Sequence, residues 1–383
     1  MMKVFFVLFF VLLNLSLFAE QNSKEKDVSL FDKEDGAFDI SEYLSQAYGF
    51  FPLPTIITEP AVGAGGSLAL LYLHDSFVGK KGKSGRNIPA SISGVMGGGT
   101  ENGTYFGGAF HMGYYLEDSL RTQTFVGYPS ININFYSNTQ KAYFMNLKGP
   151  MAYQSVKYRL GDSDFFVGLA YLYLSMDSKF EKNYLNAPDI KKNFTTASMA
   201  VTFDYDSLDN TLSPNKGISF LSKVSFFDEA FGSKKKFELY GMQGLFYLPI
   251  NKKLHLEQRV RYDQIVGEDA PFFFYPFLQM RGVPAAKYQG EKNLLYEAQL
   301  RWTFMKRWDM VIFGGMAKAY GKDKFMPSLI ENSFKEADTI YTKGVGFRYM
   351  IARKFGLRVG VDVASSKDDN ALYIEFGKAW YGL

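Results

Sequence analysis

The chain of 383 residues contains no cysteine and only three histidines. Without cysteine it has neither disulfides nor the thiolate ligands of structural zinc and iron–sulfur sites. A strong charge imbalance is also missing, because 43 basic and 39 acidic residues leave a net charge of +4. The basic surface that is typical of nucleic-acid-binding proteins is therefore not predicted. We expect no nucleic-acid partner, no cofactor and no metal site.

Long hydrophobic runs are absent as well, since a transmembrane helix needs about 20 apolar residues. The apolar run at residues 4–13 is too short; it follows Lys3 and precedes a stretch that ends at Ala19. This order of charged, apolar and small residues is typical of a secretory signal peptide. We predict a signal peptide over residues 1–19, with an uncleaved anchor as the alternative.

Aromatic residues and glycine are abundant, with 37 Phe, 26 Tyr and 36 Gly. From residue 56 onward, apolar and polar residues alternate with a period of two, which indicates strands with one apolar face. The clearest examples are residues 253–263, 293–304 and 356–363. Most predicted strands run to about 10–13 residues, the length that a tilted strand needs to cross a membrane, whereas strands of soluble sandwiches are nearer 5–6.

A sheet in lipid must close, because lipid offers its edges no hydrogen-bond partners. We therefore predict an all-β fold, a transmembrane antiparallel β-barrel with an apolar outside and a polar lumen. A large secreted β-sandwich is the alternative. Sixteen strands are predicted, and the region 118–148 could hold one of them or two. They lie near residues 60–75, 88–98, 103–116, 118–128, 130–147, 150–160, 163–175, 192–205, 216–227, 236–248, 253–264, 292–305, 309–320, 340–352, 355–365 and 371–381.

Three parts of the chain follow from these patterns: the signal peptide, a short periplasmic lead-in over residues 20–57, and the barrel over residues 58–383. The lead-in contains a possible helix at 38–49, which the prolines after Phe51 would end. Periplasmic turns of such barrels are short. We therefore expect the longer connections to be extracellular loops, at residues 76–87, 176–191, 265–291 and 321–339.

The connection 265–291 contains the run Phe272-Phe-Phe-Tyr275, which an exposed loop would not normally carry. We predict that this loop folds inward as a lid and places Arg281 in the lumen. A buried guanidinium needs a carboxylate or several carbonyl groups. Asp362 is the first candidate partner and Glu297 the second, with loop carbonyls as the alternative.

The residues around the lid resemble the BamA/TamA-type outer-membrane barrels, the bacterial surface antigen family. Met280-Arg281-Gly282-Val283 is similar to the Val-Arg-Gly-Phe/Tyr element of the family's lid loop. The last strand, with Ile374, Phe376 and Trp380 on one apolar face, is similar to the family's terminal assembly signal. Further matches to the segment after the lid and to an Asp-rich turn are Tyr288, Gly290, Asn293, Glu297, Arg301, Trp302, Asp204, Asp206, Asp209, Asn210, Pro214 and Gly217.

Two features depart from the family pattern. The family strand after Arg-Trp carries Phe-x-Asp-x-Gly, but here it reads Phe313-Gly-Gly-Met-Ala and lacks the Asp. Family members that assemble proteins also carry periplasmic domains before the barrel, and residues 20–57 are too few for one stable domain.

The resemblance implies a barrel in the outer membrane of a Gram-negative bacterium, with outer-membrane lipid around it. It also implies assembly or translocation of outer-membrane proteins. Periplasmic or outer-membrane accessory proteins would then supply the role of the missing domains. A passive pore or structural barrel without insertase activity is the alternative.

No catalytic residue is predicted. His74, His111 and His255 are far apart in the sequence, and each is interpreted as a lumen or interface residue. No Gly-x-Ser-x-Gly elbow occurs, and no spacing pairs a serine with a histidine.

The seam between the first and last strands is predicted to be the weakest in the barrel. Pro60, near the start of the first predicted strand, donates no hydrogen bond, and the glycines that follow it lose additional conformational entropy.

Overall fold

The computed structural model describes residues 29–46, 49–75, 80–81, 87–136, 142–180, 190–267, 270–324 and 331–380. The predicted signal peptide lies outside them. One short helix, α1 (Ser41–Gln46), precedes twenty strands. They are β1 (Gly49–Ile57), β2 (Gly65–Leu73), β3 (Lys80–Lys81), β4 (Asn87–Ile88), β5 (Ile92–Thr100), β6 (Tyr105–Tyr115), β7 (Leu120–Tyr136), β8 (Ala142–Lys148), β9 (Met151–Arg159), β10 (Phe165–Phe180), β11 (Ile190–Asp206), β12 (Gly217–Phe227), β13 (Phe237–Pro249), β14 (Leu254–Val266), β15 (Lys292–Met305), β16 (Trp308–Lys322), β17 (Glu331–Asn332), β18 (Ile340–Ala352), β19 (Leu357–Ser366) and β20 (Asn370–Phe376).

Eighteen of these strands form one antiparallel sheet, and β3 and β4 form a separate small hairpin. Antiparallel pairing leads through the sheet from β1 to β20, so the sheet is the wall of an antiparallel β-barrel. Within the described residues, β1 pairs only with β2 and β20 only with β19. The outer edges of β1 and β20 are therefore the two unpaired edges of this wall, and we call the gap between them the seam. Among the described helical segments, none combines the length and hydrophobicity needed to cross a membrane.

Side chains alternate between a polar lumen face and an apolar outer face, as predicted. On β14, Glu257 and Arg259 are buried in the lumen while Val260 is 40% exposed. On the paired strand β15, Trp302 points outward and is 50% exposed. This alternation is the pattern of a wall between lipid and a polar interior.

The strand boundaries in the first half of the barrel differ from the predicted ones. β7 continues through Pro129, which pairs with Phe106, so the break predicted near residue 129 is wrong. β8 and β9 instead follow one another in a single position between β7 and β10. β17 pairs only with the last residues of β16. The number of sixteen barrel strands stays a prediction, but the segments that form these strands differ from the predicted segments.

The sheet also begins earlier than predicted, because β1 precedes the expected barrel boundary at residue 58. Pro52 and Pro54 do not end the ordered structure; they lie inside β1, in register with Leu70 and Leu68. An edge strand tolerates proline because one side of it has no partner strand. Pro60 lies in the connection between β1 and β2, so its predicted place in the first strand is wrong.

Because β1 is an additional first strand, β2 crosses the barrel in the direction opposite to the predicted one. Gly49, at the start of β1, pairs with Leu73 at the end of β2, and Ile92 pairs with both Leu73 and Met112. The connection that contains residues 76–87 therefore leaves from the end of the barrel where the chain enters. We call this end the terminal end and the opposite end, where the 265–291 loop lies, the lid end. The prediction that 76–87 shares an end with the other long loops is wrong.

Candidate functional site

The loop between β14 and β15 folds into the barrel and fills part of the lumen with aromatic rings. Phe272–Phe274 form a single 3-10 turn. The last of these rings lies 5.1 Å from each of Phe227 and Phe237, which line the inner wall on β12 and β13. The first lies 5.1 Å from Phe135 on β7. The predicted inward packing of this loop is confirmed, and removal of the rings from water holds it there.

Arg281 lies farther along this loop, which we call the lid, and is only 7% exposed. Its Nη1 donates to Asp362 Oδ2 at 2.6 Å and to Gln299 Oε1 at 3.0 Å. Glu297 Oε1 lies 3.9 Å from Arg281 Nε. The structure therefore brings Arg281 to both carboxylates named from the sequence, with Asp362 as the hydrogen-bonded partner.

Asp362 has a second arginine partner that the sequence did not reveal. Arg348 on β18 donates Nη1 and Nη2 to the two Asp362 carboxylate oxygens at 2.5 and 2.8 Å. The carboxylate is fully buried, so the two guanidinium groups replace the water that it would otherwise bind. Arg348 was recognisable as a lumen residue from its alternation, but pairing it with Asp362 requires the register of β18 against β19.

The missing family Asp has a structural explanation at Gly315. A Cβ at that position would lie 2.7 Å from Met280 Sδ of the lid and 2.8 Å from Glu297 Cγ. An aspartate at this position would have to displace Met280 of the lid and Glu297 of β15. Two residues earlier, the Phe313 ring centroid lies 3.6 Å from the Arg281 guanidinium carbon, which is a cation–π contact.

Three further ion pairs line the lumen face of β14, β15, β16 and β19. They are Arg259 with Glu297 at 3.0 Å, Arg301 with Glu257 at 2.7 Å and Arg358 with Asp309 at 2.7 Å. All six residues are at most 7% exposed. Since removing one partner leaves an uncompensated buried charge, these pairs hold β14, β15, β16 and β19 in one arrangement.

The lid also contacts residues on both sides of the seam. On the β20 side, Gly282 donates its backbone N–H to Tyr373 Oη at 2.9 Å and accepts a hydrogen bond from Ser366 Oγ at 2.7 Å. On the β1 side, Ala285 N–H donates to Glu59 Oε1 at 3.1 Å. Burial raises the pKa of Glu59 above its usual range. Gly282, named with Arg281 as the lid motif, therefore belongs to a bridge across the seam.

The last strand keeps its alternation only as far as Phe376. Ile374 and Phe376 face outward, and Phe376 is 40% exposed. Trp380 is only 3% exposed and packs against Tyr247 inside the barrel, so its predicted place on the lipid face is wrong. Gly377 explains the difference, because its φ of +74° ends the extended strand and turns the chain inward.

The Asp-rich stretch at the end of β11 and in the turn that follows it serves separate partners. Asp204 pairs with Lys157, and Asp206 pairs with Arg121 at 3.0 Å. Asp209 Oδ1 accepts two backbone N–H groups of the same turn at 2.9 and 3.2 Å. The arrangement is one of wall ion pairs followed by a capped turn.

A cluster at the terminal end was missed by the sequence analysis. Arg307, between β15 and β16, donates to Asp32 and Asp35 at 2.7 Å and to Asp39 at 2.6 Å. The sequence analysis assigned residues 20–57, which include the three aspartates, to a periplasmic lead-in. Nothing local showed that one buried arginine from the barrel would pair with three of these carboxylates. The segment that begins at Ser29 is consequently docked on the terminal end of the barrel.

This docking is expected to resist mild acid. The hydrogen bond from Arg307 lowers the pKa of Asp35 to about 2. Stabilisation from a depressed carboxyl pKa is complete above the unfolded value of about 3.9 and is lost as the pH falls through the folded value. Protection of the Ile40 and Leu44 amide hydrogens from exchange, relative to the unfolded chain at the same pH, should therefore stay constant from pH 7 to about pH 4 and fall only toward about pH 2.

Arg307→Ala should accelerate the same exchange already at pH 7, while exchange within β14 stays slow as the internal reference. Release of the wild-type segment near pH 5 would contradict the assignment.

The comparisons with known proteins agree with this architecture. An Omp85 superfamily domain matches residues 84–273. The structure is similar to BamA from Haemophilus ducreyi lacking POTRA domains 1–3, with a TM-score of 0.59 and 11% identity over 86% of this chain and 70% of that one. It is also similar to CdiB from Escherichia coli, with a TM-score of 0.53 and 9% identity over 84% of this chain and 61% of that one. At these identities the structural likeness concerns the fold. No curated protein sequence matches the chain.

Proposed function

We propose that this chain, an Omp85-type β-barrel protein, assists the assembly or translocation of outer-membrane proteins at its seam. The Omp85 match and the BamA-like fold support this function at the level of the family. The outer membrane of a Gram-negative bacterium is the corresponding location. The more specific role rests on the edge of β1, the edge of β20 and the lid.

The outer edge of β1 is the observation that carries the proposal. In an antiparallel ladder, pairs that exchange two N–H···O bonds alternate with pairs that exchange none. Pro52 and Pro54 pair with Leu70 and Leu68, and since proline has no N–H, both are non-hydrogen-bonded pairs. The backbone groups of such residues point away from β2, toward the seam. The β1 edge of the seam therefore lacks two of its donors.

The β20 edge is short but has no such defect. β20 pairs with β19 from Asn370 to Phe376, and its residues contain no proline. Unpaired N–H and C=O groups on an edge strand are a template for another strand. An incoming client strand can therefore pair with β20, while the prolines of β1 weaken direct closure of the seam.

The lid provides a means of holding the seam when no client is present. It joins Tyr373 of β20 to Glu59 beside β1 through the backbone of Gly282 and Ala285. The ion pair between Arg281 and Asp362 fixes the same segment to β19. Client strands at the seam would compete with these contacts.

The passive-barrel alternative requires neither the prolines at the seam nor a lid bound across it. Its open-pore form also requires a continuous aqueous path, whereas the aromatic rings at 272–274 pack against both β7 and β12. These observations favour assembly or translocation.

The test is reconstitution of the purified full chain into lipid vesicles, followed by addition of a urea-unfolded β-barrel client. We expect the client to fold faster than in vesicles without the chain, measured as its heat-modifiable mobility on gels. Unchanged client folding together with a large steady conductance in planar bilayers would contradict the proposal and identify a passive pore.

The proposed location gives a separate expectation. Because the outer faces of the strands need lipid, the native protein should fractionate with outer membranes and change mobility on heating. Recovery as a soluble periplasmic protein at native expression would contradict this location.

Accessory proteins of the periplasm or outer membrane are the proposed partners, since the family's assembly factors carry periplasmic domains before the barrel. A pull-down from native outer membranes in mild detergent should recover a stoichiometric partner. The docked segment near Arg307 is at the end of the barrel that such a partner would reach.

A further inference from the structure

A chain of four polar side chains lies on the outer face of the wall, near the terminal end of β2, β5 and β6. Ser93 Oγ is 2.8 Å from His74 Nε2 and 2.8 Å from His111 Nδ1. His111 Nε2 is 2.7 Å from Tyr115 Oη. The two imidazole rings are 5.5 Å apart and nearly perpendicular. The histidines that are distant in sequence therefore converge on one serine.

One assignment of protons satisfies every member of this chain. His74 Nε2–H donates to Ser93 Oγ, whose hydroxyl donates to the unprotonated Nδ1 of His111. His111 Nε2–H then donates to Tyr115 Oη. A nucleophile within hydrogen-bond reach of a base, with the base oriented by a third group, is the arrangement of nucleophilic catalysis.

The register places the cluster at the boundary between polar and apolar parts of the outer surface. Ser93 pairs with Tyr72 on one side and with His111 on the other. One row nearer the lid end, the outward residues are Leu70, Val95 and Ala109, of which Leu70 is 41% and Val95 55% exposed.

Farther along the polar row, Thr124 pairs with His111 and donates to Gln154 Oε1 at 2.6 Å. This row of hydroxyl, imidazole and amide groups continues across neighbouring strands, with apolar rows beside it. Such a boundary is the depth of lipid head groups, where acyl ester carbonyls meet the hydrocarbon region.

We propose that Ser93, with His111 as its base and His74 as a second donor, is an esterase site for acyl esters of lipids in the surrounding leaflet. This activity is separate from the assembly function proposed above. The outward orientation gives a lipid direct access from the membrane, and the apolar row at Leu70 and Val95 lies where its acyl chain would pack.

The reaction proceeds as two acyl transfers. Ser93 Oγ forms a bond to the ester carbonyl carbon while its proton moves to His111 Nδ1, and the lipid alcohol leaves with that proton. Water then attacks the acyl-serine, His111 accepts the proton from the water, and this proton returns to Ser93 Oγ as the fatty acid departs. His74 Nε2–H, 2.8 Å from Ser93 Oγ, is the side-chain group assigned to donate to the oxygen that becomes negative.

A fluorophosphonate probe tests the nucleophile in the purified full chain. Attack by Ser93 forms an Oγ–P bond, releases fluoride and leaves a permanent label. We expect labelling of the wild type and loss of the label in Ser93→Ala. In His111→Gln the labelling rate should fall by about 10²-fold or more. Ser222→Ala is the matched control, because Ser222 lies on the outer face of β12 away from the histidines and its loss should change nothing.

The substrate class is tested with vesicles of phosphatidylethanolamine and phosphatidylglycerol, scored by released fatty acid. Release by the wild type and its loss in Ser93→Ala support the proposal, provided that the variant keeps its heat-modifiable mobility. Tyr115 is a positioning residue, so Tyr115→Phe should lower kcat and leave KM unchanged. An unlabelled wild type, equal labelling of Ser93→Ala, or labelling without fatty acid release overturns the proposal. Client folding by Ser93→Ala should equal that of the wild type, which separates this result from the assembly function.

Discussion

Arg281→Ala is expected to release the lid from the lumen. The substitution leaves Asp362 with Arg348 alone and removes the cation over Phe313. Because Asp362 keeps Arg348, the expected loss is that of the hydrogen bonds donated by Arg281, about 1.5–3 kcal/mol for a bond to a charged group, and it falls on the lid contacts. The aromatic residues at 272–274 should then become accessible, so chymotrypsin should cut within the lid of the variant while the wild-type lid resists.

Arg121→Ala is the matched control for this experiment. Arg121 is another lumen arginine with carboxylate partners, Asp118 and Asp206, none of which lies in the lid. It should weaken the wall near β7 without exposing the lid. Asp362→Asn should release the lid at least as fully as Arg281→Ala, because it removes the charged partner of both Arg281 and Arg348. An unchanged digestion pattern in both lid variants would show that the aromatic packing alone holds the loop.

Replacing the two seam prolines together, Pro52→Val and Pro54→Val, is expected to strengthen the seam and slow client folding. The double variant gains two backbone donors that point toward β20. Each new hydrogen bond contributes about 1 kcal/mol once formed. The temperature at which the folded band is lost on heating should rise, and the client-folding rate should fall in the vesicle assay.

Pro60→Val is the control, since Pro60 lies in the connection after β1 rather than at the seam. It should leave both measurements unchanged. Equal behaviour of the double variant and the wild type would mean that the missing donors do not limit closure of the seam.

The second half of the barrel was largely predictable because its strands alternate strictly. Charged residues such as Arg259 and Glu297 could be assigned to the lumen from the period of two alone. The partner of Arg281 could be named because few lumen carboxylates follow the lid in the sequence. Arg348 and Phe313 could not be added, since their proximity depends on strand register, which alternation does not determine.

The predictions that were wrong concern residues whose surroundings depend on their position in the sheet and not on the local sequence pattern. Pro52 and Pro54 would end a central strand, but the unpaired side of β1 accommodates them. Trp380 continues the alternation of β20 in the sequence, but a single left-handed residue, Gly377, turns it into the lumen. Ser93 has no motif around it, and only the pairing of β5 with β2 and β6 brings two histidines to it.

Cross-linking at the seam tests whether client strands enter between β1 and β20, and the chain is suited to it because it has no cysteine of its own. Thr55→Cys with Ala371→Cys places thiols near the lid ends of β1 and β20, and Thr55→Cys with Ser67→Cys is the control within the β1–β2 hairpin, where the two residues pair. With a short thiol cross-linker, we predict incomplete linkage at the seam and complete linkage in the hairpin. Where the seam link forms it should stop client folding in the vesicle assay, whereas the hairpin link should not. Equal and complete linkage at both places, with client folding unaffected by the seam link, would contradict a weak seam at which client strands enter.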